Sequence, residues 1–538
     1  MKGHDIEPNE LQQETKKYED FIDLIGGFRK WQKMLTLILV CTCFTSAINN
    51  MNWPFLAPRI DYWCARPPKY FNLSVEEWKN ISAPTEIKKG KTVHSQCQVY
   101  DLDRKSENLS KIPCSSWEYD HSVFKSSIIG KWNLVCDDYW MASFSGSSYF
   151  MGLFVSALII GQLSDRYGRR PVIMFGIILH ILSGLLCTIS PFYWMFTACR
   201  FLTAVGKNAF GLAYFVYVLE VVGPNYRENV FVVACLSYTT GMLSLVAVSW
   251  LVKDWFYIQL YCSLPPFVLL LLTRFIPESP RWLLAQGKLH KAEKVIERIM
   301  KTNKIQIIGL TEIIAELHFK IKLDDKKTRR NFLDLFKKRG LRKITFITPI
   351  MWLIIKFNLY ALSLNPDIAG GNIFILFSIF CLLNYFACGV LYIILHRFNR
   401  KRIEIFLCIL NGILSLLIIA VPQEYPWLRV VFIVSCRFFT SLASATLTGF
   451  TTELFPTVVR SVGLGLCSTF SRFGIVLAPF MKDLSVKVDW KLPFIIVGVL
   501  MIITGFGVIP LPETKNTRLK DTIQHYSKKS AKEETSLC

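Results

Sequence analysis

Three cations fall where hydrocarbon is expected. Lys207, Lys356 and Arg472 each lie near the middle of a long apolar run. A charge at the centre of a bilayer costs about 2.5–3.5 kcal/mol on insertion scales, so such residues are functional candidates by default. No Asp or Glu sits at a comparable depth, since Glu220 and Glu453 lie near the ends of their runs. A cavity with three cations and no central acid suits a solute bearing carboxylate, sulfate or phosphate. Arg472 can hold a carboxylate through two parallel hydrogen bonds. Lys207 and Lys356 either join it or snorkel at helix contacts. Tyr149, Tyr238, Trp352 and Tyr360 are candidates to line a pocket for an amphiphilic solute. The chain has no G-x-x-x-x-G-K-[S/T] phosphate loop, no H-E-x-x-H pair and no G-x-S-x-G elbow. An enzyme, an ATP-driven pump, a cofactor and a metal site are therefore not expected.

Apolar runs must position these groups. Of 538 residues, 52% are hydrophobic and 14% aromatic, more than a soluble domain hides and what a polytopic membrane protein faces to lipid. Twelve runs approach the ~20 residues that span a bilayer. They lie near 33–57, 141–162, 172–190, 194–220, 229–252, 256–276, 344–364, 372–395, 403–421, 427–450, 461–481 and 492–511. The expected fold is all-α, with twelve transmembrane helices in two six-helix halves. Residues 1–32 form an N-terminal segment, 33–276 and 344–511 the halves, 277–343 a basic linker and 512–538 a tail. Within the first segment, residues 18–32 mix apolar and charged side chains and predict an amphipathic lead-in on the membrane surface.

The net charge of +22 does not point to nucleic acid. The basic residues cluster in short loops, in the linker and at the chain ends, which is how membrane helices are anchored on a cytoplasmic face. The turn Gly161–Pro171 is predicted as a loop of about eight residues. It carries Asp165, Arg166, Arg169 and Arg170, and Arg227 and Arg460 fall on the same side. On the opposite side, residues 58–139 hold three N-x-S/T sequons, at Asn72, Asn80 and Asn108. The same segment holds Cys64, Cys97, Cys114 and Cys136, so two disulfides in an oxidising external compartment are expected, with three pairings open. Both termini are then cytoplasmic, and the expected location is the plasma membrane.

Charged landmarks recur at a near-constant offset. Arg200-Phe returns as Arg437-Phe, Glu220 and Arg227 as Glu453 and Arg460, Pro277-Glu278 as Pro512-Glu513, and Arg169-Arg170 as Lys401-Arg402. Parallel repeats of this kind place a solute site between the halves near the midplane.

These residues resemble a known family. Gly161–Pro171 resembles the loop signature of the major facilitator superfamily. More closely, the chain resembles the organic cation/anion/carnitine transporters, solute carrier family 22. The resemblance rests on Gly27-Phe-Arg-Lys-Trp-Gln32, Asn133-Leu-Val-Cys-Asp137, Pro277-Glu-Ser-Pro-Arg-Trp-Leu-Leu284, Tyr360-Ala-Leu-Ser-Leu-Asn365 and Thr452-Glu-Leu-Phe-Pro-Thr-Val-Val-Arg460. It departs in having four external cysteines, where close relatives often have six, and in His396 at an acidic position of the second-half turn. The resemblance implies a secondary transporter that moves small organic ions by alternating access. It also implies a charge latch holding the halves together when the cytoplasmic side is closed, built from Asp165, Arg166, Arg169, Arg170, Glu220, Arg227, Glu278, Arg281, Glu453 and Arg460. With His396 lacking the acid, most of that latch is expected in the first half. Ser471-Arg-Phe-Gly474 resembles the setting of the arginine in anion- and carnitine-type relatives. The expected substrate is thus an organic anion or carnitine-like zwitterion, with an organic cation, or a solute receptor that does not transport, as alternatives. The expected partners are that solute and the lipid bilayer, and a homo-oligomer is compatible with the sequence.

Overall fold

The computed structural model describes residues 21–514, except 89–90, 103–109, 308, 329–334, 337–338, 366–370, 423 and 457–458. Twelve helices organise it. The first half has α1 (Lys30–Met51), α2 (Tyr139–Tyr167), α3 (Arg169–Thr188), α4 (Tyr193–Val221), α5 (Arg227–Val252) and α6 (Trp255–Thr273). The second has α7 (Arg339–Leu364), α8 (Ile373–Arg397), α9 (Arg400–Ala420), α10 (Pro426–Leu454), α11 (Arg460–Leu477, followed by a short helix Phe480–Lys487) and α12 (Leu492–Val508). Among the described residues, eleven are long and apolar enough to cross a membrane. The twelfth, α12, has 17 residues and would reach about 25 Å at 1.5 Å per residue. Large apolar side chains such as Leu251, Leu271, Phe275 and Ile375 are well exposed, a surface that suits lipid and not water.

The anticipated loop at Gly161–Pro171 does not form. Helix α2 continues to Tyr167 and α3 begins at Arg169, so one residue, Gly168, makes the whole connection. Its φ of 107° lies where side chains are strained. A Cβ there would also collide with the Glu278 carboxylate. Asp165 and Arg166 thus ride on a helical stem.

The repeat is repeated in the packing. Helix α1 packs on α5, α2 on α4, α3 on α4 and α3 on α6. In the second half α7 packs on α11, α8 on α10, α9 on α10 and α9 on α12. The halves meet through α2 with α11 and α5 with α8, a pair of contacts that the same pseudo-symmetry exchanges. At the bend of the first half, Gly241 of α5 lies so close to α1 that a Cβ would come within 2.6 Å of the Phe44 carbonyl.

The long segment between α1 and α2 folds around two disulfides, Cys64–Cys114 and Cys97–Cys136, which settles the pairing. Three two-stranded antiparallel ribbons carry it. Asn72 and Asn80 are exposed there, and Asn108 lies outside the described residues. This end of the molecule is called the disulfide face, and the end carrying Arg169 the arginine face. On the arginine face the lead-in does not lie on a membrane surface. Phe21, Ile22, Leu24 and Ile25 are buried in the first half's core with the linker helices Pro280–Ala285, Leu289–Asn303 and Leu310–Thr328. Asn303 fixes it, donating to the Ile25 carbonyl at 2.7 Å and accepting from the Trp31 amide at 2.8 Å.

Candidate functional site

The apolar core shows how the halves stand. One buried cluster on the disulfide side joins both, from Ile48, Phe55 and Tyr149 to Phe377, Phe380 and Ile475. Toward the arginine face there are two clusters, one for each half. The polar contacts agree. Ser143 of α2 donates to Asp483 at 2.6 Å and Ser147 to the Val476 carbonyl at 2.7 Å. Lys482 donates to the Ala57 carbonyl at 2.9 Å. Phe55 packs on Phe374 and Phe377, with ring centroids 5.9 and 5.2 Å apart. At mid-depth, Thr240 meets Tyr385 at 2.7 Å and Phe154 meets Phe473 at 6.3 Å. Among the described residues, no hydrogen bond or ring contact joins the halves between that level and the arginine face. The interface is sealed on one side only.

Three of the seven proposed lining residues, Tyr149, Tyr238 and Tyr360, meet under that seal. Tyr149 OH donates to Asn50 Oδ1 at 3.0 Å, and Asn50 Nδ2 donates to Tyr238 OH at 3.3 Å. Tyr360 of α7 lies beside Tyr238, with Phe150 packed edge-on to its ring at 5.4 Å. Hydrogen bonds thus link α2, α1 and α5 within the first half, and the Phe150–Tyr360 ring contact brings α7 of the second half to them. Two more, Trp352 and Lys356, lie one turn apart on α7. Trp352 Nε1 donates to Thr451 Oγ1 at 3.0 Å, and Lys356 Nζ donates to Ser444 Oγ at 2.6 Å and lies 5.7 Å from the Trp352 ring. The last two are a pair of cations on facing halves, Lys207 of α4 and Arg472 of α11, close enough to repel each other. Arg472 donates to Ser468 Oγ at 3.0 Å, while Lys207 has no hydrogen-bond acceptor among the described residues. Lys207, Lys356 and Arg472 are all half-buried, so each keeps access to the space between the halves.

Two interior arginines escape a search for unpaired charge. Arg200 lies over Trp53 and Tyr149, 4.9 and 5.2 Å from the ring centres, and reaches Asn52. Arg437 donates to Ser363 at 2.7 Å beside Phe380. Both are fully enclosed, and the sequence marks them only as a repeated Arg-Phe. Glu404 is likewise buried, one turn into α9, where it accepts from Thr446 Oγ1 and Cys408. The Arg-Lys-Arg just before it makes it look like a loop charge.

The arginine-face charges are tied within each half. Arg169 holds Glu220 at 2.7 Å and Asp165 at 2.9 Å. Glu278 accepts the Arg169 amide at 2.8 Å and the Arg170 amide at 3.2 Å, and Ser279 donates to Glu220 at 2.5 Å. The second half repeats this: Arg400 pairs with Glu453 at 3.4 Å, Glu513 accepts the Lys401 amide at 3.3 Å, and Thr514 donates to Glu453. The loss at His396 thus leaves most of the second cluster in place. Arg227 and Arg460, the first residues of α5 and α11, instead cap the ends of the preceding helices α4 and α10, donating to the Val222 and Phe455 carbonyls. Arg166 stacks over Tyr167, and Arg281 is exposed.

Comparison with known proteins follows the same lines. The family described as "Sugar (and other) transporter" matches residues 137–526. A fruit-fly (Drosophila melanogaster) "Organic cation transporter protein" is 31% identical, the match covering 96% of each chain. The mouse (Mus musculus) "Organic cation/carnitine transporter 2" is 30% identical over 94% of this chain and 93% of its own. Mouse "Solute carrier family 22 member 21" is 29% identical over 97% and 95%. Among solved structures, that of the proton:xylose symporter XylE bound to 6-bromo-6-deoxy-D-glucose superposes with a TM-score of 0.58 at 16% identity, covering 91% of this chain and 98% of that one. At that identity the likeness concerns the fold.

Proposed function

The chain belongs to solute carrier family 22, the organic cation/carnitine transporters of the major facilitator superfamily, and on that premise we propose that it carries small organic anions or carnitine-like zwitterions by alternating access. That it is a multi-pass membrane transporter follows from the family. The observation supporting the finer reading is the trio Lys207, Lys356 and Arg472, half-buried and with no ion-pair partner among the described residues. An anion entering between α4, α7 and α11 supplies the missing counter-charge. The neighbouring Trp352, Tyr238 and Tyr360 offer ring faces to a quaternary ammonium, so one molecule bearing both groups fits both sets. In this reading the one-sided seal is the state closed on the disulfide face. The Ser143, Ser147 and Lys482 bonds across the halves must break for that face to open, and the paired charges on the arginine face hold each half rigid while the halves rock. The disulfide face is external and the arginine face cytoplasmic, with both termini inside and the protein at the plasma membrane.

The relatives' names also support a second reading, transport of an organic cation. Purified protein in proteoliposomes, offered labelled carnitine with unlabelled carboxylates, sulfate esters and quaternary amines as competitors, separates the two. Competition by anions and zwitterions is expected. Competition by simple quaternary amines alone would favour the cation reading, and solute binding without flux would sink transport itself.

A further inference from the structure

The linker helix Leu289–Asn303 buries Ala292, Ile296, Ile299, Met300 and Asn303 against the first half. Its opposite face carries Lys291, Lys294, Arg298 and Lys301, all exposed, at spacings of three and four that align them in one stripe. Glu297 lies at the edge of that stripe, and Glu293 faces away, accepting from Thr311 at 2.7 Å. The stripe is not adrift in solvent. Arg298 donates at 3.4 Å to the carbonyl of Phe275, the exposed apolar residue just past the end of α6. Arg170 donates at 3.3 Å to the neighbouring carbonyl of Arg274, whose own side chain is exposed. Two guanidinium groups thus cap the arginine-face end of a membrane helix whose outer side, at Leu271 and Phe275, is apolar. Cations and lipid-facing rings meet at the depth where phospholipid headgroups lie.

We propose that the stripe Lys291, Lys294, Arg298 and Lys301, with Arg170 and Arg274, is a docking surface for anionic lipid headgroups of the cytoplasmic leaflet. This rests on the orientation adopted above and not on the identity of the solute. Each basic group near an anionic surface strengthens binding about fivefold. Neutralising three should therefore weaken binding on the order of a hundredfold. Phosphate charge held this way pins the linker, and through Asn303 the entry to α1, against the membrane.

The test uses the full-length protein in detergent and its melting temperature. The probes are short-chain phosphatidylinositol bisphosphate, short-chain phosphatidylcholine, the free inositol trisphosphate headgroup and inorganic phosphate. The anionic lipid is expected to raise the melting temperature, phosphatidylcholine is not, and the rise shrinks with added salt. The variant K294Q/R298Q/K301Q changes exposed side chains only. It should melt near wild type without lipid and need on the order of a hundredfold more anionic lipid for the same rise. K487Q/K491Q, on the other face, should respond as wild type does. An equal response in the triple variant, or an equal rise with free headgroup or phosphate, would overturn the proposal. The readout involves no transport, so a failed solute assignment leaves it standing.

Discussion

Removing the arginine-face cations should expose an asymmetry between two clusters that share one plan. Arg169 and Glu220 are 10% and 12% exposed, whereas Arg400 and Glu453 are 17% and 29% exposed. The first pair has two contacts, Nη2 at 2.7 Å and Nε at 3.2 Å, and Arg169 also binds the Ser164 carbonyl at 2.9 Å. Arg169→Ala leaves the Glu220 carboxylate inside the protein with the Ser279 hydroxyl as its remaining partner. Breaking a buried pair from one side costs about 3–5 kcal/mol because the other charge stays uncompensated. Arg400→Ala uncovers a better-solvated carboxylate at a longer distance, for which the surface scale of about 1 kcal/mol applies. Arg166→Ala, next in the same turn but stacked only on Tyr167, should cost within about 0.5 kcal/mol. Urea or thermal unfolding of the detergent-solubilised protein, followed by intrinsic fluorescence, ranks the three. Equal losses for Arg169→Ala and Arg400→Ala would refute the reasoning, since burial and contact distance are what separate them.

Other outcomes follow from local geometry. Gly168→Ala forces a side chain into a positive-φ position against Glu278 and should cost at least about 1–2 kcal/mol, read as lower melting temperature or yield. Ser147→Ala removes one bond across the halves, to the Val476 carbonyl at 2.7 Å. Since a buried hydrogen bond contributes about 1 kcal/mol, labelling of external thiol probes in the disulfide-face cavity should rise roughly fivefold. Cys97→Ser with Cys136→Ser opens a crosslink of sequence separation 39, worth about 4 kcal/mol by loop closure, and should make residues 58–139 protease-sensitive from outside the cell. Glycosidase treatment of protein from intact cells should shift its mobility through Asn72 and Asn80.

Helix number and pseudo-symmetry were legible in the sequence because burial in lipid needs long apolar runs and because Arg200/Arg437 and Glu220/Glu453 repeat at a near-constant spacing. Other features depend on contacts far apart in the chain. Hydropathy treats Asp165 and Arg166 as loop, yet a helix can carry charges past the hydrocarbon, and only the φ of Gly168 marks its end. The lead-in at Phe21–Ile25 is amphipathic either way, and what covers it, the linker 270 residues later, is a tertiary fact. The disulfide pairing, the burial of Glu404 and the enclosure of Arg200 by Trp53 and Tyr149 are of the same kind. The seven lining residues were chosen by depth and type. The structure links Tyr149 and Tyr238 through Asn50, a residue that sequence order gave no reason to select.

The central claim is that the mid-depth cations receive an anionic group, and Arg472 tests it most directly. Initial uptake of a labelled anion or carnitine should be measured in proteoliposomes for wild type, Arg472→Lys and Arg472→Asp, with incorporation and folding matched. Hydrogen bonds to a charged partner contribute about 1.5–3 kcal/mol, so uptake at low substrate should fall roughly tenfold to a hundredfold in Arg472→Asp, with partial retention in Arg472→Lys. Unchanged anion uptake by Arg472→Asp would contradict the account.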